Sequence, residues 1–523
     1  MSDNDWEDAI SEIHRRREAA GEQGGSDAVE RQHGKGRLNV RERIDALVDA
    51  GSFREVGPIA GGAERDEQGR MTSFTPGNYV LGFGRIEGRP CVVGGEDFTM
   101  AGGSPNVAGL RKSVYTEQVA QKYRVPLIRL HEGAGGSVTG SGGKGGGAAP
   151  PPSPVYEAHR FASVGQTLAS VPVAAAALGA TAGMPAGRLV SSHYCVMTRE
   201  TAQVLIGGPA LVERALGRET SKEELGGPEV HERSGVVDDV VDDEQAAFTA
   251  IRRFLGYLPR NVWELPPVIE SGDPRDRQDE SLAGTVPANR RRVYDMRAIV
   301  RSVLDQDSFF EMGRGHGRGQ ITGFARLTGI PVGVLGNDCR YLAGAMTADG
   351  ARKVRRFIEL CQVFHLPIVS FVDEPGFMIG PQAERDATMR FGAAAILAAA
   401  LCTVPWASLI VRKSMGLASA VHYGQDAYVL AWPSAETGAL PVEGGVAVAF
   451  RREIAAAPEP EAKRRELEEQ LAKRQSPFPR ADAFSVHDLI DPRETRPRLC
   501  DWIELAHPLL RDQLGPTAFS YRP

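Results

Sequence analysis

Two apolar runs, each ending in a turn of small residues, stand out in the hydrophobic pattern of the chain. SVPVAAAALGATAGMPAG (170–187) and TVPWASLIVRKSMGLASA (403–420) both begin near a Val-Pro pair and run to a glycine. Runs of this length bounded by Pro and Gly predict strands buried on both faces. Val171-Pro172 aligns with Val404-Pro405 and Gly183 with Gly416, at an offset of 233 (404 − 171). From Tyr79, YVLGFGRIEGRPCVVGGEDFT reads as two strands about a Glu87-Gly88 turn. QITGFARLTGIPVGVLGND, from Gln320, repeats it, with Gly82-Phe83 answered by Gly323-Phe324 at an offset of 241 (323 − 82). Gly95 and Gly336, Val125-Pro126 and Leu366-Pro367, Glu132 and Asp373, and Gly135 and Gly376 keep that step. Several motifs sharing one offset indicate an internal duplication. The eight extra residues of the first copy (241 − 233) are assigned to residues 133–154, GAGGSVTGSGGKGGGAAPPPSP. Each copy predicts strand, strand, helix, strand, loop, helix, strand and glycine turn, an α/β order.

The remaining pattern is helical. Trp6, Ile10 and Ile13 form one stripe, and Val40, Ile44, Leu47 and Val48 another; both read as packing or assembly elements. The first copy closes through residues 205–217 and a helical run at 245–258. A Pro- and charge-rich stretch at 260–292 is expected to be an exposed linker between domains at 1–259 and 293–523. Residues 459–474 read as a solvated charged helix. Trp502, Ile503, Leu505, Leu509 and Leu510 predict a helix interrupted at Pro508 that docks on the body or a neighbour. Residues 391–411 approach membrane-span length but break at Thr403 and Pro405, so a buried helix running into a buried strand is expected and no membrane association.

Charge and cysteine usage narrow the chemistry. A net charge of −6 gives no electrostatic footprint for nucleic acid. The six cysteines form no CxxC pair, so neither a metal site nor a disulfide framework is expected. The N-terminus lacks an apolar signal core, and a cytoplasmic location follows. A buried strand that ends at a glycine aims backbone N–H groups into the space beyond it, where they can hold an oxyanion. Such a turn alone is more often only a turn; here it occurs twice. His231 and His422 read as structural or surface residues, Asp373-Glu374 as a loop cap, and no His–carboxylate pair stands out at either turn. Arg37, Arg41 and Arg43 read first as exposed salt bridges. Residues 140–147 fail as a phosphate loop, because Lys144 is followed by Gly145.

GRLNVRERIDALVDAGSF (36–53), GEDFTMAGGS (95–104), IGGPALVERALGRETSKEELGGPEVHERSGVVDDVVDDE (206–244), ESGDPRDR (270–277), ARKVRRFIELC (351–361), VDEPGFMIGPQAER (372–385) and AWPSAE (431–436) carry a resemblance over nearly the whole chain. It resembles the carboxyltransferase β subunits of biotin-dependent acyl-CoA carboxylases, of the propionyl-CoA and methylcrotonyl-CoA type. The resemblance implies two tandem crotonase-like domains and a hexamer with active sites between the first domain of one chain and the second of another. Acyl-CoA would enter on the first domain and biotin on the second. Biotin would be carried by a biotin carboxylase or carboxyl carrier partner of an ATP-dependent holoenzyme. This chain has no Ala-Met-Lys-Met site, since Ala345-Met346 is followed by Thr347. The lack of a zinc ribbon separates it from the bacterial acetyl-CoA carboxyltransferase β chain.

By the same resemblance, the N–H groups of Gly183 and Met184 would hold the thioester enolate, and those of Leu417 and Ala418 the biotin enolate. Gly416, Ser419, Gly376 and Phe377 fall on the biotin side. Gly102, Gly103, Gly135, Gly136 and Arg41 fall on the CoA side. Residues 133–154 stand in place of the family's Ser-Gly-Gly-Ala-Arg loop, and their own composition reads as a lid over CoA with Lys144 near a phosphate. Ala420 and Met415 fall at the acyl pocket. In the family's mechanism the biotin nitrogen takes the α-proton, so no protein base is needed. The turns depart from the family: Gly183-Met184 replaces Gly-Gly, and Ala420 stands where propionyl-type members have Asp, which implies a roomier pocket for a branched or longer acyl group. A biotin-linked decarboxylase or transcarboxylase, a biotin-independent crotonase-like hydratase or isomerase, and a non-catalytic scaffold stay open as alternatives.

Overall fold

The computed structural model describes residues 6–135, 160–518 and 521–523. The chain forms two compact units, Met1–Val262 with Pro523, and Trp263–Arg522.

In the first unit, strands Tyr79–Ile86 and Arg89–Glu96 pair antiparallel through a turn in which Glu87 (φ 51°) and Gly88 (φ 76°) are both left-handed. That twist matches the strands it joins, and the Asp49 carboxylate accepts from both turn N–H groups at 2.9 and 2.8 Å. Leu127–Gly133, Val173–Ala182, Tyr194–Thr198 and Asp239–Val241 extend the sheet in parallel, and Gln203–Leu205 pairs with the end of Val173–Ala182. The residues from Val173 to Leu178 are fully buried, which explains an apolar run without alternation.

The second unit repeats this strand by strand. Gln320–Leu327, Ile330–Asn337 and Ile368–Glu374 start 241 residues after their counterparts (320 − 79, 330 − 89, 368 − 127), and Trp406–Met415 starts 233 after (406 − 173). The helices Val107–Tyr123 and Ala348–Val363 share the first offset (348 − 107) and its caps: Asn106 accepts from Gly109 N–H, and Thr347 from Gly350 N–H. A three-residue left-handed turn also recurs, as Ala101-Gly102-Gly103 and Leu342-Ala343-Gly344. Left-handed Ala and Leu are strained positions that surrounding structure must hold. Only the glycine common to the two turns, Gly103 and Gly344, hints at the second turn in the sequence.

Three elements differ from expectation. The N-terminal region holds three helices, Glu7–Glu22, Ser26–His33 and Val40–Leu47; the middle one has too little apolar periodicity to be read. Val40, Ile44 and Leu47 are buried, whereas Trp6 is 72% exposed. The helix Thr388–Leu401 is only half-buried: Thr388, Gly392, Ala395 and Ala399 face inward, and Leu397 is 60% exposed. Among the described residues no helix is long and apolar enough to cross a membrane. The Pro- and charge-rich run from Trp263 lies along the second unit: Ile269 N–H donates to Gly329 O, and Arg277 donates to the carbonyls of Ser302 and Leu304.

The C-terminal helix Thr495–Ala506 docks through Leu499, Cys500 and Ile503, while Leu505 and Leu509 stay exposed. Buried Trp432 donates its indole N–H to Thr495 Oγ1 at 2.8 Å. Thr495→Val strands that donor, at a cost of about 1–3 kcal/mol. Calorimetry should show the transition of this unit lowered by several degrees; an unchanged midpoint would refute the assigned bond.

Candidate active site

The strand Val173–Ala182 ends at Gly183, whose φ of 64° turns the chain into the short helix Met184–Val190. Pro185 fits the first turn of that helix, where no intrahelical acceptor exists for its missing N–H. The same geometry leaves the Gly183 and Met184 N–H groups without an acceptor among the described residues. Gly183 is exposed and Met184 half-buried, so both donors are within reach of a ligand.

Gly102, Gly103, Gly135 and Gly183 are brought together. A Cβ on Gly183 would lie 2.8 Å from Gly135 Cα, and one on Gly103 2.7 Å from Gly133 Cα, so the glycines let three backbone segments touch. Gly102 O accepts from Ala134 N–H at 2.9 Å, and Ser104 Oγ donates to Gly135 O at 3.1 Å. Gly136, Lys144 and most of the expected lid fall outside the described residues. Behind the turn, Arg129 donates to the carbonyls of Arg188 and Ser191, and buried Glu117 accepts from Arg129 (2.8 Å) and Arg188 (2.9 Å). This cluster anchors the far end of the helix that Gly183 starts.

In the second unit the strand Trp406–Met415 ends at Gly416, with φ 61°, which donates to Gly438 O at 2.9 Å. Leu417 follows in right-handed geometry and the 3₁₀ turn Ala418–His422 begins. The Leu417 and Ala418 N–H groups likewise have no acceptor among the described residues. Ser419 Oγ donates to Gly416 O at 2.9 Å, closing the turn. Gly376 and Phe377 lie on the loop after Ile368–Glu374. Gly376 O accepts from Met346 N–H, and the Phe377 ring fills the space where a Gly392 side chain would be. Ala420 is partly exposed beside the turn; Met415 is fully buried, so it supports the turn from below and does not line an open pocket.

The arginines depart from expectation. Arg43 is buried between Glu132 and Glu244, and Arg37 binds Glu132 and the Thr201 carbonyl. Arg41, expected on the CoA side, is committed to Glu55 (2.9 Å) and the Ala20 carbonyl (3.0 Å), a strut between segments of the first unit. A removed partner would leave Arg43 as an uncompensated buried charge, so these are framework residues. His231 is structural, its Nε2 2.7 Å from Val204 O. Burial pushes the Cys91 and Cys402 thiols up to about 12, which removes them as nucleophiles near neutral pH.

Two buried His–carboxylate pairs, unseen in the sequence, lie near the turns. His131 Nδ1 is 3.1 Å from Glu96 Oε2, and His422 Nε2 is 3.7 Å from Glu374 Oε2. Burial raises the Glu374 carboxyl, against the opposing effects of His422 and the Gly376 N–H. Burial also opposes the Glu96 charge, but His131 and Arg188 hold that carboxyl below its usual range. Glu374 does cap its loop, through Gly376 N–H at 3.0 Å. Asp373 instead is buried against Arg412, Tyr294 and the Lys413 N–H.

The carboxyl transferase domain family matches residues 31–513. The propionyl-CoA carboxylase carboxyltransferase subunit of Haloferax mediterranei is 35% identical over 501 residues, 94% of this chain and 95% of that one. Among solved structures, the transcarboxylase 12S hexamer with methylmalonyl-CoA and methylmalonic acid bound superposes with a TM-score of 0.85 at 27% identity, covering 98% of this chain and 97% of that one. A single-chain, multi-domain long-chain acyl-CoA carboxylase gives a TM-score of 0.79 at 28% identity, covering 95% of this chain and 48% of that one. The duplicated α/β units are therefore crotonase-like. The chain belongs to the carboxyl transferase family, that of the carboxyltransferase subunits of biotin-dependent acyl-CoA carboxylases, and is an acyl-CoA carboxyltransferase.

Proposed function

We propose that the first unit binds acyl-CoA, that the second binds biotin carried on a partner chain, and that the reaction moves CO₂ to the α, or vinylogous γ, carbon of the acyl group. The observation behind this reading is the pair of turns, each presenting two adjacent N–H groups without an acceptor among the described residues. Carboxyl transfer has two points of oxyanion charge, the thioester oxygen and the ureido oxygen, so two donor sets match its need. Biotin supplies the CO₂ and, on releasing it, a nitrogen that accepts the α-proton. The Gly183 and Met184 N–H groups hold the thioester oxygen as the carbon–hydrogen bond breaks and until the new carbon–carbon bond forms. The Leu417 and Ala418 N–H groups hold the ureido oxygen while the nitrogen–carboxyl bond breaks. Leu417 is exposed and Ala418 is buried beneath it, with Gly416, Ser419 and Ala420 around them, a narrow setting that suits a small planar urea.

A hydratase would need a carboxylate base free to face the substrate; Glu96 and Glu132, which pack against the segments around the first turn, are buried and held by His131, Arg37 and Arg43. A homohexamer, a biotin carboxylase or carrier partner, the ATP-driven forward direction and a cytoplasmic location belong to the same reading, as do the domain limits near residues 259 and 293. The hexameric transcarboxylase relative supports the assembly.

The test is fixation of labelled bicarbonate by the purified chain over a panel of acyl-CoAs, with and without the biotinylated partner and ATP. Label should be fixed only with both. Failure of a correctly assembled complex to fix label with any acyl-CoA would overturn the forward reading. Within the panel, Ala420 in place of a family Asp favours acyl groups longer or more branched than propionyl, with a several-fold higher kcat/KM. The likeness to a long-chain enzyme supports this choice. A best kcat/KM for propionyl-CoA would refute it.

A further inference from the structure

Each glycine turn is backed by a buried histidine–carboxylate pair, and the two pairs are not copies of one another. In the first unit Glu96 packs against the turn segments: a Cβ on Gly133 would lie 3.0 Å from its Cγ, and one on Gly103 3.4 Å from its Cβ. By the internal repeat, the position of Glu96 is taken in the second unit by Asn337 (337 − 96 = 241) and that of His131 by Val372 (372 − 131 = 241). Glu374 stands where the first unit has Gly133 (374 − 133 = 241), and His422 where it has Leu189 (422 − 189 = 233). Yet Glu374 bonds Asn337, so its carboxylate meets the position that bears the carboxylate in the first unit. Descent from one ancestral half would leave matched residues in matched places. Recurrence at unmatched places points to a demand made by the site itself.

We propose that Glu374 and His422 form a positioning pair for the second turn, holding the Gly376–Phe377 loop and the Ala418–His422 turn at a fixed spacing. The proposal rests on the reading of Leu417-Ala418 as the biotin-side turn. Glu374 Oε1 accepts from Gly376 N–H at 3.0 Å, and Oε2 accepts from Asn337 Nδ2 at 3.1 Å. His422 Nδ1 is 2.8 Å from Ser370 Oγ, its carbonyl accepts from Ser408 Oγ at 2.7 Å, and its buried Nε2 lies 3.7 Å from Glu374 Oε2, an ion-pair separation too long for a hydrogen bond. His422 ends the turn that Ala418 begins, so a shift of the pair shifts the donor N–H groups.

Charged residues on the elements packed against this turn are Arg390 on Thr388–Leu401, Asp373 on Ile368–Glu374, and Arg412 and Lys413 on Trp406–Met415. Asp373 is neutralised by Arg412, Arg390 is exposed and Lys413 half-buried, which leaves His422 as the residue that faces Glu374.

Glu374→Gln keeps the side chain's shape and one acceptor oxygen, removes the carboxylate, and sets an NH₂ group against one of the two donors, Gly376 N–H and Asn337 Nδ2, that the carboxylate serves. The assay is carboxyl transfer from the carboxylated form of the best acyl-CoA of the panel to free biotin. Expected is a fall of about 10²-fold in kcat/KM for biotin, the scale of a small misplacement of catalytic groups. KM for the acyl-CoA should stay within about twofold on that view. A wild-type kcat/KM for biotin in the variant would overturn the pair's role, as would equal loss toward both substrates with a lowered unfolding midpoint. If the loss falls on acyl-CoA alone, the pair still positions its turn and the ligand assignment is what fails. Should Glu374→Gln not assemble, Ser370→Ala removes only the Nδ1 partner; it must show a smaller biotin-specific loss, and its absence overturns the proposal.

Discussion

Met184→Pro is expected to lower kcat for carboxylation by about 10²–10³, the loss that follows removal of one oxyanion-hole donor, while the unfolding midpoint changes little. The substitution removes one N–H and little else. Met184 is the first residue of its helix, the position at which proline is best tolerated, and its N–H has no acceptor to lose among the described residues. The preceding residue is Gly183, which has no Cβ to clash with the new ring. Met184→Ala is the matched control: it alters the side chain and keeps the donor, so its kcat should stay within a fewfold of wild type. Binding of acyl-CoA, followed by calorimetry, should be nearly unaffected in Met184→Pro, because the donor matters most once charge reaches the thioester oxygen. Activity of the proline variant within threefold of wild type would remove Met184 N–H from the mechanism.

What the amino-acid order made legible was the repeated scaffold. Buried parallel strands carry long apolar runs and end at glycines, so Val173–Ala182 and Trp406–Met415, with Gly183 and Gly416 after them, stand out from their neighbours. The first hairpin was legible through Glu87-Gly88, whose glycine accepts left-handed geometry, and the second followed from the repeat. Contacts between residues far apart in the chain were not legible. Glu96 and His131 are 35 residues apart, and Glu374 and His422 are 48 apart (422 − 374), so no local spacing pairs them. Arg41 and Arg43 illustrate the converse. They sit in a motif whose resemblance points to a ligand, yet their direction on Val40–Leu47 turns one to Glu55 and the other to Glu132 and Glu244. A helix that packs through Val40, Ile44 and Leu47 carries the intervening positions to several different surfaces, and only the fold decides which arginine is buried. Likewise Leu342 and Ala343 carry no mark of a left-handed turn; the surrounding structure imposes it.

Leu417→Pro should lower carboxyl transfer to biotin by about 10²-fold or more through the loss of one donor, with acyl-CoA binding intact. Leu417 has φ −68° and ψ −33°, within the range a proline ring imposes, and its N–H has no acceptor among the described residues. Its side chain is 57% exposed, so little packing is lost. The bond from Ala420 N–H to Leu417 O survives, and the 3₁₀ turn keeps its shape. The contrast with Met184→Pro lies in a reaction that involves no biotin: slow decarboxylation of the carboxylated acyl-CoA, which builds charge on the thioester oxygen alone. If the first turn holds that oxygen, Met184→Pro slows this side reaction and Leu417→Pro leaves it untouched, while both variants slow transfer to biotin. The opposite pattern would exchange the ligands of the two turns and keep the two-oxyanion mechanism. Equal slowing of the side reaction by both variants would mean that the turns act on one oxygen, and the assignment of a separate charge to each would fall.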